Sequence, residues 1–485
     1  MSLSGSRLLL LAVLVGGFGC APSPESRHEI SRLMAGYHEI GQFQGAWLVA
    51  DSGRVVSKGG LGQANREWSV PNSTDTRFNL GSITKQFTAA LVLSLVDDGL
   101  VRLDGPISEY LPEYRPDVGS AVTIHHLLSH SGGFFMPRLS RDEYDAFFQN
   151  KHTSDEIVKA LTGTDPVFEA GSRFGYSSSG YIVLGAVVER VTGQSYEDAL
   201  QARILAPLGL RDTGVAEHER IVPHRAAGYQ TNYGWGNAHF KRYANSFSSG
   251  ALYSTVEDLY AWDEALRRGR VLSAESRRLL FERHVEAAAR YYGYGWFIAE
   301  QAVGDLTLPI AYHAGDTSGF SAIVVRALEA DQLIVLLTNT EGTHYREIAF
   351  NLLGVLNGVE PAEPRAYVAD ILRKAIYTEG RAPALARYEE IVADGLHSYN
   401  TDEGELVELG YDLMYAGRPE DAAAVLEVAT EIHPASHDAH YYLGKARESL
   451  GRGLEAVSSY RRALELRPDD EATKKALERL GQRPG

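Results

Sequence analysis

The chain has 485 residues, more than one hydrophobic core usually serves, so two or more folding units are expected. Its 44% hydrophobic, 10% aromatic and 23% charged residues are those of an ordinary globular protein, which excludes disorder as its main state. A formal net charge of -16, with no Lys/Arg cluster, excludes the basic surface that a nucleic-acid partner needs.

At the start, Arg7 precedes the apolar run Leu8 to Val15, followed by Gly16, Gly17, Phe18, Gly19 and Cys20. A basic start, an apolar stretch too short to span a bilayer as a stable anchor and small residues before a break predict a secretory signal over residues 1–19. Its closing Cys resembles a bacterial lipoprotein signal, in which Cys20 becomes the lipidated first residue; a plain cleaved signal is the alternative. The expected location is therefore outside the cytoplasm, periplasmic or lipid-anchored to the envelope, with membrane contact only through that lipid. Cys20 is the only cysteine, so an internal disulfide and every multi-cysteine metal site are excluded.

Residues 43–62 alternate apolar and polar around Asp51-Ser52-Gly53, which predicts a hairpin whose turn residues tolerate positive φ. A helix follows over 82–98. Ile83, Phe87, Ala90, Leu91 and Leu95 recur at helical spacing, and Ser82 and Lys85 stand one turn apart at its start. A serine there is ordinarily an N-cap and a nearby lysine ordinarily solvated. This is, however, the chain's only Ser-x-x-Lys, and an ammonium that is partly desolvated at a helix N-terminus loses stability. Its pKa falls, and the neutral amine can take the proton of the hydroxyl.

Two further segments follow in the order a Ser/Lys hydrolase needs. Tyr176-Ser177-Ser178 lies in a polar loop before the apolar helix predicted over 180–193; a phenol whose pKa is drawn down by an ammonium can act as general base and then acid. A helical pattern over 255–268 leads to His313-Ala314-Gly315 at a strand edge, where Gly315 would let substrate backbone approach and the N–H of Asp316 could join that of Ser82 at a developing oxyanion. Residues 321–340 read as a second hairpin of two β-branched runs. Strands at both ends with helices between them predict an α+β domain: one antiparallel sheet completed by remote segments, with a helical region inserted.

Beyond residue 360 the chain repeats itself. Leu409, Gly410, Gly417, Ala422, Ala429 and Pro434 recur as Leu443, Gly444, Gly451, Ala456, Ala463 and Pro468, always 34 residues on. The period resembles the tetratricopeptide repeat, in which small residues let two antiparallel helices approach. Repeats are expected at 401–434 and 435–468, with a degenerate helical pair at 365–395 and a capping helix at 469–482. Such stacks bind proteins or peptides.

SITK, YSS and HAG, with "TIHHLLSHSGG" (123–133), "LAPLGLRDTG" (205–214) and "SGALYSTVEDLYAWDEAL" (249–266), together resemble the serine β-lactamase and penicillin-binding-protein superfamily, in its class C β-lactamase-like and esterase branch. The likeness covers residues 25–360. It implies a β-lactamase/transpeptidase-like fold, Ser82 as acylated nucleophile, Lys85 as its activating partner and Tyr176 as acid/base group. It also implies oxyanion donors at the N–H of Ser82 and Asp316, substrate contacts from Ser178, His313 and Gly315, and no cofactor or metal. Ser178 stands where many relatives have Asn, and His313 where β-lactamases commonly have Lys; a histidine is mostly neutral at pH 7 and captures a carboxylate weakly. An exported esterase or peptidase forming an acyl-enzyme on Ser82 is the expected function, a D-alanyl peptidase or weak β-lactamase the first alternative, and a non-catalytic peptide-binding scaffold the second.

Overall fold

The computed structural model describes residues 24–133, 141–162, 165–231 and 234–482; the signal expected over 1–19 and Cys20 lie outside the described residues. Helix α1 (Pro24–Glu39) leads into β1 (Gly45–Asp51) and β2 (Arg54–Leu61), the hairpin read from the alternation, with Ser52 at φ +50 and Gly53 at φ +68 in its turn. The inserted helices include α2 (Thr84–Asp97), α3 (Ser178–Thr192) and α4 (Val256–Arg267). The chain then returns to the sheet through β3 (Val285–Ala287), β4 (Arg290–Tyr292), β5 (Phe297–Val303), β6 (Leu306–Thr317), β7 (Phe320–Ala327) and β8 (Gln332–Thr338), and closes with α5 (Tyr345–Leu356).

All eight strands form one antiparallel sheet in the order β3-β4-β5-β6-β7-β8-β1-β2. The first hairpin is stitched to the last strand in full register, Gly45 opposite Thr338 and Asp51 opposite Gln332. β7 and β8 are buried along their whole length because both sheet faces are covered, which explains their unbroken apolar runs. One face packs on α2, α3 and α4, with Phe87 stacked on Trp262 at 4.4 Å, and the other on α1 and α5.

Helix α2 is buried as a helix with apolar residues at this spacing is expected to be, and beyond its apolar positions. Every residue from Thr84 to Leu95 is inside, including Lys85, Gln86 and Thr88, because the sheet lies on one side of the helix and the other inserted helices enclose the rest.

The C-terminal part is a stack of helices: α6 (Val368–Thr378), α7 (Arg381–Asp394), α8 (Glu403–Tyr415), α9 (Pro419–Ile432), α10 (His437–Ser449), α11 (Gly453–Leu466) and α12 (Glu471–Arg479). Repeating residues occupy matching places. A Cβ on Gly410 would stand 2.5 Å from Leu426 and one on Gly444 2.6 Å from Tyr460, so each glycine is where paired helices touch; Gly417 and Gly451 follow α8 and α10 at φ +71 and +72. The stack docks on the sheet domain beside α5. His344 stacks on Tyr367 at 3.6 Å and bonds Asp370 at 2.9 Å, while Gln42 donates to the carbonyl of Arg365 at 2.8 Å.

Candidate active site

Helix α2 is entered through a tight turn, Gly81–Ile83, with Gly81 at φ +52. The turn is pressed against the end of β6. A Cβ on Gly315 would stand 1.9 Å from the carbonyl oxygen of Leu80 and 2.9 Å from the Ser82 nitrogen, and one on Gly81 would stand 2.9 Å from the Asp316 nitrogen. Two glycines thus bring the backbones of Ser82 and Asp316 together. Pairing of β5 with β6 ends at Phe297 and Tyr312, so the following stretch of β6 faces this turn and not a strand. Gly315, assigned from sequence to substrate approach, instead seats the chain's own serine turn.

Lys85 is wholly buried, and its Nζ donates to Ser82 Oγ at 3.0 Å, Ser178 Oγ at 3.3 Å and the carbonyl of Ser249 at 2.8 Å. Burial, with a smaller contribution from the nearby charge of Lys241, pushes the ammonium down to about 7, so a large fraction is neutral amine near neutrality. A neutral amine 3.0 Å from a hydroxyl can accept its proton. Ser178, expected among the substrate contacts, is thus a partner of Lys85.

Ser177 caps α3, its Oγ accepting from Gly180 N at 3.4 Å, and this fixes the approach of the preceding Tyr176. Lys85 Nζ lies over the Tyr176 ring, 4.9 Å from its centroid, and Ser82 is close enough to the phenol to favour its ionised form. The residue is 36% exposed. The expectation of a phenol drawn down by the ammonium is not met. Desolvation raises the Tyr176 pKa well above the ordinary value, the influence of Ser82 opposing only in part, so the phenol is protonated at rest.

His313 also departs from its expected place. It is 2% exposed, shares a hydrogen bond with Tyr292 at 3.1 Å, and stands 6.1 Å from the Tyr176 ring and 5.5 Å from Phe297. Burial and the charge of Lys85 push it down to about 3; it is a neutral support behind the site, not an open contact for substrate. Asp316 is held from the side by Tyr345, whose hydroxyl donates to Oδ2 at 2.8 Å.

Three participants escaped sequence reasoning. His130, at φ +58, accepts from Ser177 N at 3.1 Å through Nδ1 and packs 4.4 Å from Tyr176 and 4.6 Å from Tyr292, bracing the tyrosine loop. It stands inside "TIHHLLSHSGG", but nothing local marks one histidine of three. The Ser249 carbonyl carries no side-chain signal at all. Lys241 lies in a polar stretch and shares with Asp316 a cavity of about 430 Å³.

A family model described as Beta-lactamase matches residues 30–356, and one described as Tetratricopeptide repeat matches 407–471. Penicillin-binding protein 4* of Bacillus subtilis (strain 168) is 26% identical over 404 residues, covering 78% of this chain and 86% of that protein. Esterase EstB of Burkholderia gladioli is 32% identical over 335 residues, covering 60% and 85%. Among solved structures, the octameric penicillin-binding protein homologue of Pyrococcus abyssi superposes with TM-score 0.61 at 26% identity over 71% of this chain and 81% of that one. The D-amino acid amidase of Ochrobactrum anthropi SV3 shares the fold, with TM-score 0.60 at 23% identity over 69% and 99%. The chain belongs to the Beta-lactamase family and is a serine hydrolase with a tetratricopeptide repeat in its C-terminal part.

Proposed function

We propose that the chain hydrolyses an ester or amide through an acyl-enzyme on Ser82. The observation that carries this is a fully buried Lys85, titrating near neutrality, 3.0 Å from Ser82 Oγ. As Oγ bonds the substrate carbonyl carbon, Lys85 Nζ takes the hydroxyl proton and the carbonyl electron pair moves onto oxygen, towards the N–H groups of Ser82 and Asp316. Collapse breaks the bond to the leaving group, which takes a proton from the Tyr176 hydroxyl. The Lys85 ammonium, whose Nζ lies 4.9 Å from the centre of the Tyr176 ring, restores that proton to the phenolate. Water then attacks the acyl ester by the same relay, releasing the acid and returning the serine hydroxyl.

The match to a penicillin-binding protein over 404 residues favours a second reading, hydrolysis of a cell-wall-like amide. Against it weighs the buried, neutral His313 where an ammonium would meet a carboxylate. Intact-mass measurement after exposure to a fluorophosphonate and to a 4-nitrophenyl ester tests the nucleophile that both readings share. The wild type gains one adduct and turns over the ester, whereas Ser82→Ala, with an unchanged melting profile, does neither. Ester hydrolysis that survived Ser82→Ala would remove the assigned nucleophile.

A further inference from the structure

The cavity beside Asp316 is lined by Phe148, Phe240 and Phe320, by the β6–β7 turn at Thr317 and Ser318, and by Lys241. The backbone carrying Lys241 is held in place. Ser318 Oγ donates to the carbonyl of His239 at 2.6 Å, Arg242 N donates to the carbonyl of Phe148 at 2.8 Å, and the Tyr243 hydroxyl donates to the carbonyl of Ser318 at 2.8 Å. The ammonium thus rests over the Phe148 ring, 4.4 Å from its centroid.

No carboxylate pairs with Lys241 among the described residues. Neighbouring acids are engaged elsewhere: Glu341 accepts from Gly319 N at 2.7 Å, Asp316 from Tyr345, and Glu219 from Arg242. Lys241 is half-buried; a partly desolvated cation without a counter-ion is costly, and burial pushes it down to about 8. A carboxylate delivered into the cavity would relieve that cost, while three phenyl rings would take the apolar body carrying it.

We propose that Lys241 binds a carboxylate on the substrate, so that the preferred substrate is an ester or amide with an apolar segment ending in a carboxylate. This rests on the acyl-enzyme reading above and adds its substrate class. It also places the charge that His313 lacks on a different segment of the chain.

The test compares two matched pairs of esters by kcat/KM: 4-nitrophenyl hemiglutarate against 4-nitrophenyl pentanoate, and 4-carboxyphenyl against phenyl butyrate. The first pair puts the carboxylate on the acyl half, the second on the leaving group. Wild type prefers the anionic member of one pair. Lys241→Gln cuts that preference about tenfold, Lys241→Arg keeps most of it, and Lys241→Glu inverts it; a merely structural role would lower both members of a pair together. Equal preference ratios in wild type and Lys241→Gln for both pairs would overturn the proposal. A wild type that turns over no ester and takes up no fluorophosphonate would instead overturn the acyl-enzyme reading.

Discussion

A lysine with no exposed surface survives inside α2 because three oxygens meet it, from Ser82, Ser178 and Ser249, and because it can lose its charge. Only the neutral amine can take the serine proton, so the sign is fixed: acylation fails as pH falls through about 7. Initial rates of acylation between pH 5 and 8 should give a log kcat/KM that drops one unit per pH unit on the acid side. Lys85→Met should lower kcat/KM by about 10²–10⁴-fold, the usual worth of a positioned base, and abolish that acid limb. A limb that persisted in Lys85→Met would assign the titration to another group. At this scale the sequence was legible where chemistry and spacing coincide, as for Ser82, Lys85 and Tyr176. It was silent where a residue acts through burial: His313 shows only an imidazole until the fold encloses it, and the Tyr176 pKa moves upward because desolvation outweighs the opposing influence of Ser82.

Among the elements, β6 does the positioning. Its end runs free of β5 and carries Gly315, against which the serine turn is seated. Gly315→Ala would place a methyl 1.9 Å from the Leu80 oxygen, so the turn must move. The expected cost is about 1–3 kcal/mol of stability, typical of overpacking, together with a loss of acylation larger than the fall in stability explains. Chemical denaturation and single-turnover acylation measured on the same preparation separate the two. Unchanged acylation in that variant would show that the turn does not govern the site. Both hairpins, α2 to α4 and the paired helices could be read from periodicity and turn residues. What could not be read was the sheet order, because β1 pairs with β8 only once the whole domain is assembled.

For the molecule as a whole, the repeat stack touches the segment that supports Asp316. His344 meets Asp370 and Glu405 of the stack, and the next residue, Tyr345, bonds Asp316. Burial alone would lower the His344 pKa, but the bond to Asp370 and the charges of Asp370 and Glu405 outweigh it, and the net shift is upward. A raised histidine adds docking stability that is fully present below its unfolded value of about 6.5 and is lost as pH rises through the folded value. Limited proteolysis between Leu356 and Val368 should therefore accelerate from pH 6 to pH 9, and His344→Gln should flatten that dependence. A cleavage rate indifferent to pH in the wild type would remove His344 as a docking group. The 34-residue period announced the stack itself; the interface did not show in sequence because single polar residues carry it.

The partnership of Gly45 with Thr338 has a consequence for how the protein is made. A ribosome adding roughly 5–20 residues per second needs tens of seconds to deliver the second strand after the first. During that interval the opening hairpin has no neighbour on one side and exposes Trp47 and Val49, which are buried in the finished sheet. The nascent polypeptide thus completes its central sheet only after most of it has been synthesised, and a holding chaperone has a long window in which to engage it.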